Sequence, residues 1–436
     1  MAREILETRR KALKINLDGA IYGTFAEIGA GQEVARNFFT AGAASGTVAK
    51  TMSAYDMVFS NSIYGTEDSG RYVTESRLDK MLQHEYNLLS ERLFGPKYDK
   101  KTFFAFACTV TTLNFNKTND PHGWLGIRFQ VSPGGEPNDI IVHVKLLDND
   151  VSLQQNVLGV LGVNLVYAAY YYHHHIPSMI ESLADNLSSG SVEIDLINLK
   201  GPIFKNTNDR LANLYLIAKG FSGAAIFDKK GNAKQSKDLL YKKDVMILRT
   251  KFGQKSTPNF DLFNRAVEQF RRTQHVKEER LIVIIEVLMT NVLGDPKELS
   301  HDDIESIAKR AEELVKTGNY VMVSNFTRNH KSAQYLSMCM PQSVGISTNI
   351  ANLKNVFNSK NYGENYTHKL LSYTSDLFSR NVKLYVYPYL DKEKNQIITT
   401  RNMPVSTEAK SLFEFLIQNE YITDIDDYDT KDVKTV

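Results

Sequence analysis

Apolar and polar positions recur with two different periods along this chain, and the change of period divides it. From Glu75 to Leu93 the residues Leu78, Met81, Leu82, Tyr86, Leu89 and Leu93 return every three or four positions, which predicts an amphipathic helix. The opening AREILETRRKALK reads as another helix. AIYGTFAEI reads as a strand or a short buried segment, followed by a helix that starts in GQEVARNFF. Three strand-like runs come next: TFFAFACTVTTLNF, GWLGIRFQV and DIIVHVKLLD. Their connectors, NKTNDPH and SPGGEPN, carry turn residues, so the runs predict an antiparallel meander.

After residue 190 short apolar runs with β-branched content alternate with helical patterns. The runs are VEIDLINL, GAAIFD, DVMILRT, RLIVIIEVL, NYVMVSNF, SVGIST and VKLYVYPYL. The clearest helix between them is SHDDIESIAKRAEELVKTG, with Ser300 as its cap and Gly318 at its end. Alternation of this kind predicts βα units and a parallel sheet. If LGVNLVYAAY is an eighth strand, a closed βα barrel is permitted; if it is a helix, a doubly wound open sheet follows. The predicted fold class is therefore α/β: an N-terminal α+β domain over 1–155, a βα-repeat domain over 156–422, and an acidic tail over 423–436 that is expected to be solvated.

Composition narrows the class. Of 436 residues, 42% are apolar and 23% charged, ordinary for a globular protein. The 52 basic and 50 acidic residues leave a formal charge of +2, so no global drive toward nucleic acid or an anionic membrane is indicated. Cys108 and Cys339 form no CxxC or zinc spacing, which fits a reducing compartment. The charged N-terminus lacks the apolar core of a signal peptide, and the run Val157–Tyr172 is shorter than a membrane span and contains Asn164. A cytoplasmic location is expected.

The small-residue stretch FAEIGAGQEVARNFFTAGAASGTVAKT offers candidate chemistry. Gly29 and Gly31 lie between an apolar run and a helix start, where a glycine turn and free helix N–H groups suit a phosphate. Arg36 lies one turn inside the helix. The GxGxxG pattern is broken by Val34. Gly42 and Gly46 with Lys50 and Thr51 evoke a phosphate loop, but the lysine is not adjacent to the second glycine; it would reach an anion from a helix starting near Ser45. The same small residues also suit close backbone packing or an interface between copies of the chain.

From FAEIGAGQEVARNFF through GTVAKTMSAYDM, and again at GWLGIRF and VKLYVYP, the sequence resembles a widespread family of uncharacterised bacterial proteins, over nearly its whole length. Members carry the automatic labels nicotinate-nucleotide adenylyltransferase or TonB-box protein. The resemblance implies a cytoplasmic protein and supplies no catalytic residues. The HxGH-type motif of the first label is absent, and DPHGW holds one histidine, His122.

Acids inside apolar runs complete the candidates. Glu193 and Asp195 alternate in VEIDLINL, so on a strand they share a face and suit proton transfer or a Mg²⁺ ion beside a substrate phosphate. Glu286 is a third such acid. Asn291, Asn325 and Lys200 each follow a strand-like run, where α/β sheets bind ligands. The run His173–His175 cannot converge on one ion, because consecutive side chains diverge on a helix and alternate on a strand. Together these residues point to an enzyme that binds a small phosphorylated or nucleotide substrate, with transferase chemistry favoured. In it Glu193, Asp195 and Lys50 would be catalytic, Gly29, Gly31, Arg36, Gly46 and Asn325 ligand-binding, and Glu193 and Asp195 the metal ligands. The alternative is a non-catalytic metabolite-binding regulator or scaffold, which predicts phosphate donors without converging carboxylates.

Overall fold

The computed structural model describes residues 3–93, 95–205, 209–251, 260–289, 299–362, 364–391, 395–426 and 428. Contacts divide the chain into two units, Met1–Ser222 and Gly223–Val436. The division falls later than residue 155 because the long helix and the edge strand that follow it pack within the first unit.

The first unit runs α1 (Thr8–Leu17), β1 (Ile21–Ile28), α2 (Gln32–Ala41), β2 (Val48–Ala54), α3 (Met57–Tyr64), α4 (Glu75–Arg92), β3 (Thr102–Thr111), β4 (His122–Phe129), β5 (Asn138–Leu146), α5 (Val151–Tyr171), α6 (Ile176–Leu183), β6 (Val192–Lys200) and α7 (Asp209–Ala218). Its sheet has the order β2-β1-β3-β4-β5-β6. β2, β1 and β3 are parallel, and β3 through β6 form the expected antiparallel meander extended by one strand. VEIDLINL thus belongs here as β6, antiparallel to β5, rather than to the parallel series. Alternate residues of β3 face opposite layers. Phe104 and Phe106 meet Phe25 on the side of α2, whereas the strand-paired Gly126 faces Leu78 and Leu82 of α4.

The apolar run around Asn164 is helical, α5, capped by Asp150, whose carboxylate accepts from the Ser152 and Leu153 amides. It is buried almost all round, which is why periodicity alone did not distinguish it from a strand. Asn164 is satisfied inside: it accepts from Lys11 Nζ at 2.7 Å and donates to the Leu183 and Asp185 carbonyls.

The second unit runs β7 (Ala224–Phe227), β8 (Ala233–Lys234), α8 (Ser236–Leu240), β9 (Asp244–Lys251), α9 (Phe260–Thr273), β10 (Leu281–Leu288), α10 (His301–Val315), β11 (Tyr320–Ser324), α11 (Asn329–Met338), β12 (Ser343–Asn349), α12 (Ile350–Val356), α13 (Tyr366–Leu377), β13 (Val382–Tyr387), β14 (Tyr389–Asp391), β15 (Gln396–Ile398), α14 (Thr407–Gln418) and β16 (Ile422–Asp424). The sheet order is β16-β13-β12-β9-β10-β11-β7-β8, open and not a barrel. β16 through β11 are parallel; β7 and β8 are antiparallel additions. The chain builds outward from β9 to β10 and β11, then returns to β12 on the other side of β9. This is a doubly wound sheet with its switch point between β9 and β12. On β9, Val245 and Ile247 enter one apolar layer and Met246 and Leu248 the other, so both faces are covered. Ser300 caps α10 in a full capping box with Asp303. The start of the acidic tail is structured: β16 pairs with β13, and Asp424 accepts from the Thr400 amide and hydroxyl; residues 429–436 lie outside the described residues. No helix among the described residues is long and apolar enough to cross a membrane.

Between β1 and α2 the chain turns tightly against β3. Gly29 has φ +84°, and a Cβ there would meet the Val110 carbonyl oxygen at 2.2 Å. Gly29→Ala adds an unfavourable backbone conformation to a backbone clash, so its expected cost is roughly 2–4 kcal/mol. Chemical denaturation measures it; an unchanged midpoint would show that the turn has room to relax.

Candidate functional site

The glycine-rich segment folds into two separate surroundings. Gly31 is the N-cap of α2 with φ 133°. A Cβ at this position would lie 2.3 Å from Cys108 Sγ and 3.3 Å from Glu27 Cβ, so the pair of glycines is demanded by close packing of the turn on β3. Arg36 is largely exposed and pairs with Glu33 in the first turn of the same helix at 3.1 Å. Gly46 closes a short 3₁₀ turn, Ala44–Gly46, with an added Cβ meeting only the Asn16 carbonyl oxygen at 3.8 Å.

Lys50 does not lie on a helix starting near Ser45: it sits on β2, in register with Thr24. That places it on the α4 side of the sheet, 2.6 Å from the buried Glu85, whose other oxygen accepts from Tyr64 Oη at 2.9 Å. There it lines a hollow of about 210 Å³ with Tyr22, Leu88 and Leu89. The turn at Gly31 and the Lys50 ammonium therefore face opposite layers. On the α2 side, Ser53 is in register with Glu27 and its hydroxyl accepts from Gln32 Nε2 at 2.8 Å.

Glu193 and Asp195 come together as their spacing requires, on the far edge strand from Lys50. Lys145 Nζ lies 3.3 Å from Glu193 and 3.4 Å from Asp195. The β5–β6 register slips between His143 and Val144. At this bulge the Asp195 carboxylate turns to His143 Nδ1 at 2.5 Å. His143 Nε2 in turn faces His122 Nδ1 at 3.1 Å. Asp195 and His143 are buried and His122 is half-buried, while the Trp124 ring packs edge-on to His143. Burial pushes the Glu193 carboxyl up, opposed by Lys145 and reinforced by the Asp195 charge. Two carboxylates, two imidazoles and an ammonium thus occupy the ends of three neighbouring strands. Among the described residues no group of three or more His, Cys, Asp or Glu is arranged to hold a metal ion.

The second unit carries a crevice at its switch point. A hollow of about 380 Å³ opens at the carboxyl ends of β9 and β10, bounded by Thr327–Asn329 before and in α11 and by Asn352 and Asn355 of α12. Its anchor is Arg249, the guanidinium of which donates to Glu286 at 2.7 Å, to Asn329 Oδ1 at 2.5 Å and to the Phe326 carbonyl. Glu286 is fully buried and also accepts from Ser324 and Ser332. Arg328, the N-cap of α11, is exposed, has no side-chain capping bond, and forms no ion pair or side-chain hydrogen bond among the described residues. A second hollow of about 500 Å³ shares Arg328, Tyr362 and Tyr373 and adds His330, His368 and Asp376.

Asn325 follows β11, its amide donating to the Gly223 carbonyl at 3.1 Å, and it is absent from the described lining of both hollows. Asn291 lies outside the described residues. Lys200 pairs with Glu75 and Asp79 of α4. Of the three histidines, His173 bonds the Ala169 carbonyl and His175 caps α6. Sequence reasoning missed His143, Arg249 and Arg328. His143 and Arg249 sit inside apolar runs, DIIVHVKLL and DVMILRT, and a lone polar residue in such a run was the available signal, as it was for Glu286.

No protein-family model matches the chain, and no curated protein matches it. Solved structures resemble part of it. The competence/damage-inducible protein CihA from Agrobacterium tumefaciens is 15% identical, over 38% of this chain and 98% of that one, with a TM-score of 0.28. A competence or damage-inducible protein from Enterobacter asburiae is 12% identical, over 37% and 96%, with a TM-score of 0.27. A CinA superfamily protein from Escherichia coli is 11% identical, over 37% and 94%, at 0.27. Scores this low carry no functional conclusion.

Glu27 beside the Gly31 turn is 5% exposed, and burial raises its carboxyl from 4.5 to about 7, with Ser53 opposing the shift. A carboxyl with a raised folded-state pKa stabilises fully below the unfolded value of 4.5, and that contribution is lost as pH rises through about 7. The total is at most roughly 3 kcal/mol. Denaturant midpoints of wild type should fall across this window, and those of Glu27→Gln should fall less; parallel curves would show that Glu27 ionises in the folded state as it does in the unfolded one.

Proposed function

We propose that the protein binds a small phosphorylated ligand, of nucleotide type, in the switch-point crevice of its second unit. The observation that carries this reading is the lining itself. Two arginines, three asparagines, two threonines and two tyrosines surround the crevice, and the described lining contains no carboxylate. An anion is what such a surface accommodates, and the carboxyl ends of a doubly wound sheet at the reversal of strand order are where ligands of this fold type sit.

The two arginines differ in preparation. Arg249 is held by three acceptors, so its charge is fixed in place before a ligand arrives and costs little ordering entropy. Glu286 balances that charge at the back of the strand. Arg328 is the adaptable cation, able to close on a phosphate with paired donors. The uncapped first turn of α11 adds amide donors beside it. The aromatic walls Tyr362 and Tyr373 give a heterocycle a surface to stack on. Binding rather than chemistry at this crevice is favoured, because phosphate donors line it and its described lining holds no carboxylate.

Calorimetry with ADP, ribose 5-phosphate and inorganic phosphate tests the reading. Arg328→Ala should weaken ADP binding about tenfold or more, the loss of one charge-assisted contact. The absence of binding by any of the three at millimolar concentration would overturn it.

A further inference from the structure

The hollow that adjoins the phosphate crevice has no role in the reading above. Arg328, Tyr362 and Tyr373 line both spaces. The second space, of about 500 Å³, lies between the first turn of α11 and one face of α13. Lys369, Ser372, Tyr373 and Asp376 are three or four residues apart on α13, so they share that face.

The two spaces differ in chemistry. The described lining of the first holds no carboxylate, whereas the second has Asp376. Asp376 is half-buried, and its carboxylate forms no ion pair or hydrogen bond among the described residues; the Ser379 hydroxyl bonds its backbone carbonyl instead. His330 is 9% exposed and packs edge-on to Tyr373, with ring centroids 4.5 Å apart. Its Nδ1 is buried without a hydrogen-bond partner among the described residues. Burial first, then the Lys331, Arg328 and Arg249 charges, push its pKa down from 6.5, and Asp376 opposes them. The ring is therefore neutral at neutral pH, able both to donate and to accept. Lys369 is already engaged, its ammonium donating to the Tyr362 carbonyl at 2.8 Å.

Given a crevice that binds a nucleotide-type ligand, on which this assignment rests, we propose that the second space takes the ribose of a ribonucleotide whose phosphate lies in the first, with Asp376 accepting from the ribose hydroxyls. A carboxylate only accepts, and its two oxygens can take two hydroxyls at once, so a vicinal diol is the neutral donor pair that suits it. A second phosphate would meet the Asp376 charge at close range, and a diol does not. The neutral His330 ring and the Ser372 hydroxyl can each bond a sugar oxygen in either sense. Arg328 lines both spaces, so the cation for the phosphate stands next to the acceptor for the sugar, as the adjoining parts of one nucleotide require.

Calorimetry of the full chain with ADP and with its 2′,3′-dideoxy analogue tests the assignment. Wild type should bind ADP about tenfold more tightly than the analogue, the loss of charge-assisted hydrogen bonds. Asp376→Ala should bring the ratio of the two affinities close to one, with the thermal midpoint kept because the side chain is half-buried and unpaired. The ratio is the readout, since removing a negative charge strengthens phosphate binding for both ligands equally and cancels in it. Arg328→Ala should weaken both ligands by a similar factor and leave the ratio in place. Equal wild-type affinities, both weakened by Arg328→Ala, would overturn the ribose assignment and leave the phosphate crevice standing. A preference for ADP that survives in Asp376→Ala would overturn it too, by placing the hydroxyl contact on another residue. If neither nucleotide binds, the crevice reading falls and the ribose assignment with it.

Discussion

The second unit depends on one ion pair, Arg249 with Glu286. β10 lies in the interior of a parallel sheet, and Glu286 is fully buried there. An ionised carboxylate in such a place costs several kcal/mol unless its oxygens are bonded and its charge is met. Both conditions hold. Arg249 is in register with it on β9, and two serine hydroxyls from β11 and α11 donate to its other oxygen. The pair joins the two strands at the centre of the sheet to the helix on the far side of β11. Its guanidinium emerges at the crevice already oriented, so the charge that would attract a ligand there is the same one that meets the buried carboxylate.

The first unit meets the same constraint differently. Its buried acids are met one by one: Glu85 of α4 with Lys50 and Tyr64, Asp195 of β6 with His143, and Asp185 after α6 with Lys11 and Arg3. Lys11 shows the strain of this arrangement. Burial lowers its pKa and the Asp185 charge raises it again. Glu27 has no cation, only Ser53, which is why its carboxyl moves toward neutrality. Satisfied pairs hold elements together across long stretches of sequence, whereas Glu27, which no cation is shown to offset, responds to pH.

Much of the second unit was legible in the sequence, because buried parallel strands are short apolar runs and the helices between them are periodic. DVMILRT, RLIVIIEVL, NYVMVSNF, SVGIST and VKLYVYPYL are all parallel strands in the order expected of βα units. What periodicity could not decide was the state of residues 151–171, where an all-round apolar pattern fits a buried helix and a buried strand alike. β2 escaped for the opposite reason: VAKTMSA is an edge strand with exposed alternate positions, and its small residues read as a turn. Glu193 and Asp195 share Lys145, as a common face allows, but their partners Lys145 and His143 come from β5, joined by strand pairing that no local pattern encodes. His143, which links His122 to Asp195, was hidden inside an apolar run.

The glycine-rich stretch shows why a motif needs its surroundings. Glycine before a helix allows close approach to a phosphate, and it equally allows close approach to a protein backbone. Gly29 and Gly31 have the second neighbour, since Val110 and Cys108 occupy the space beside them. The first turn of α2 also contains Glu33, which carries negative charge where an anion would sit and is answered by Arg36 of the same helix. α11 differs at each of these points. Its N-cap is an arginine, its first turn has no acid, and its neighbour Arg249 is a pinned cation. Both helix starts offer unpaired amides, so the amides do not discriminate. The sign of the charge brought within reach of them does, and it separates a packed turn in one unit from the crevice proposed to bind a ligand in the other.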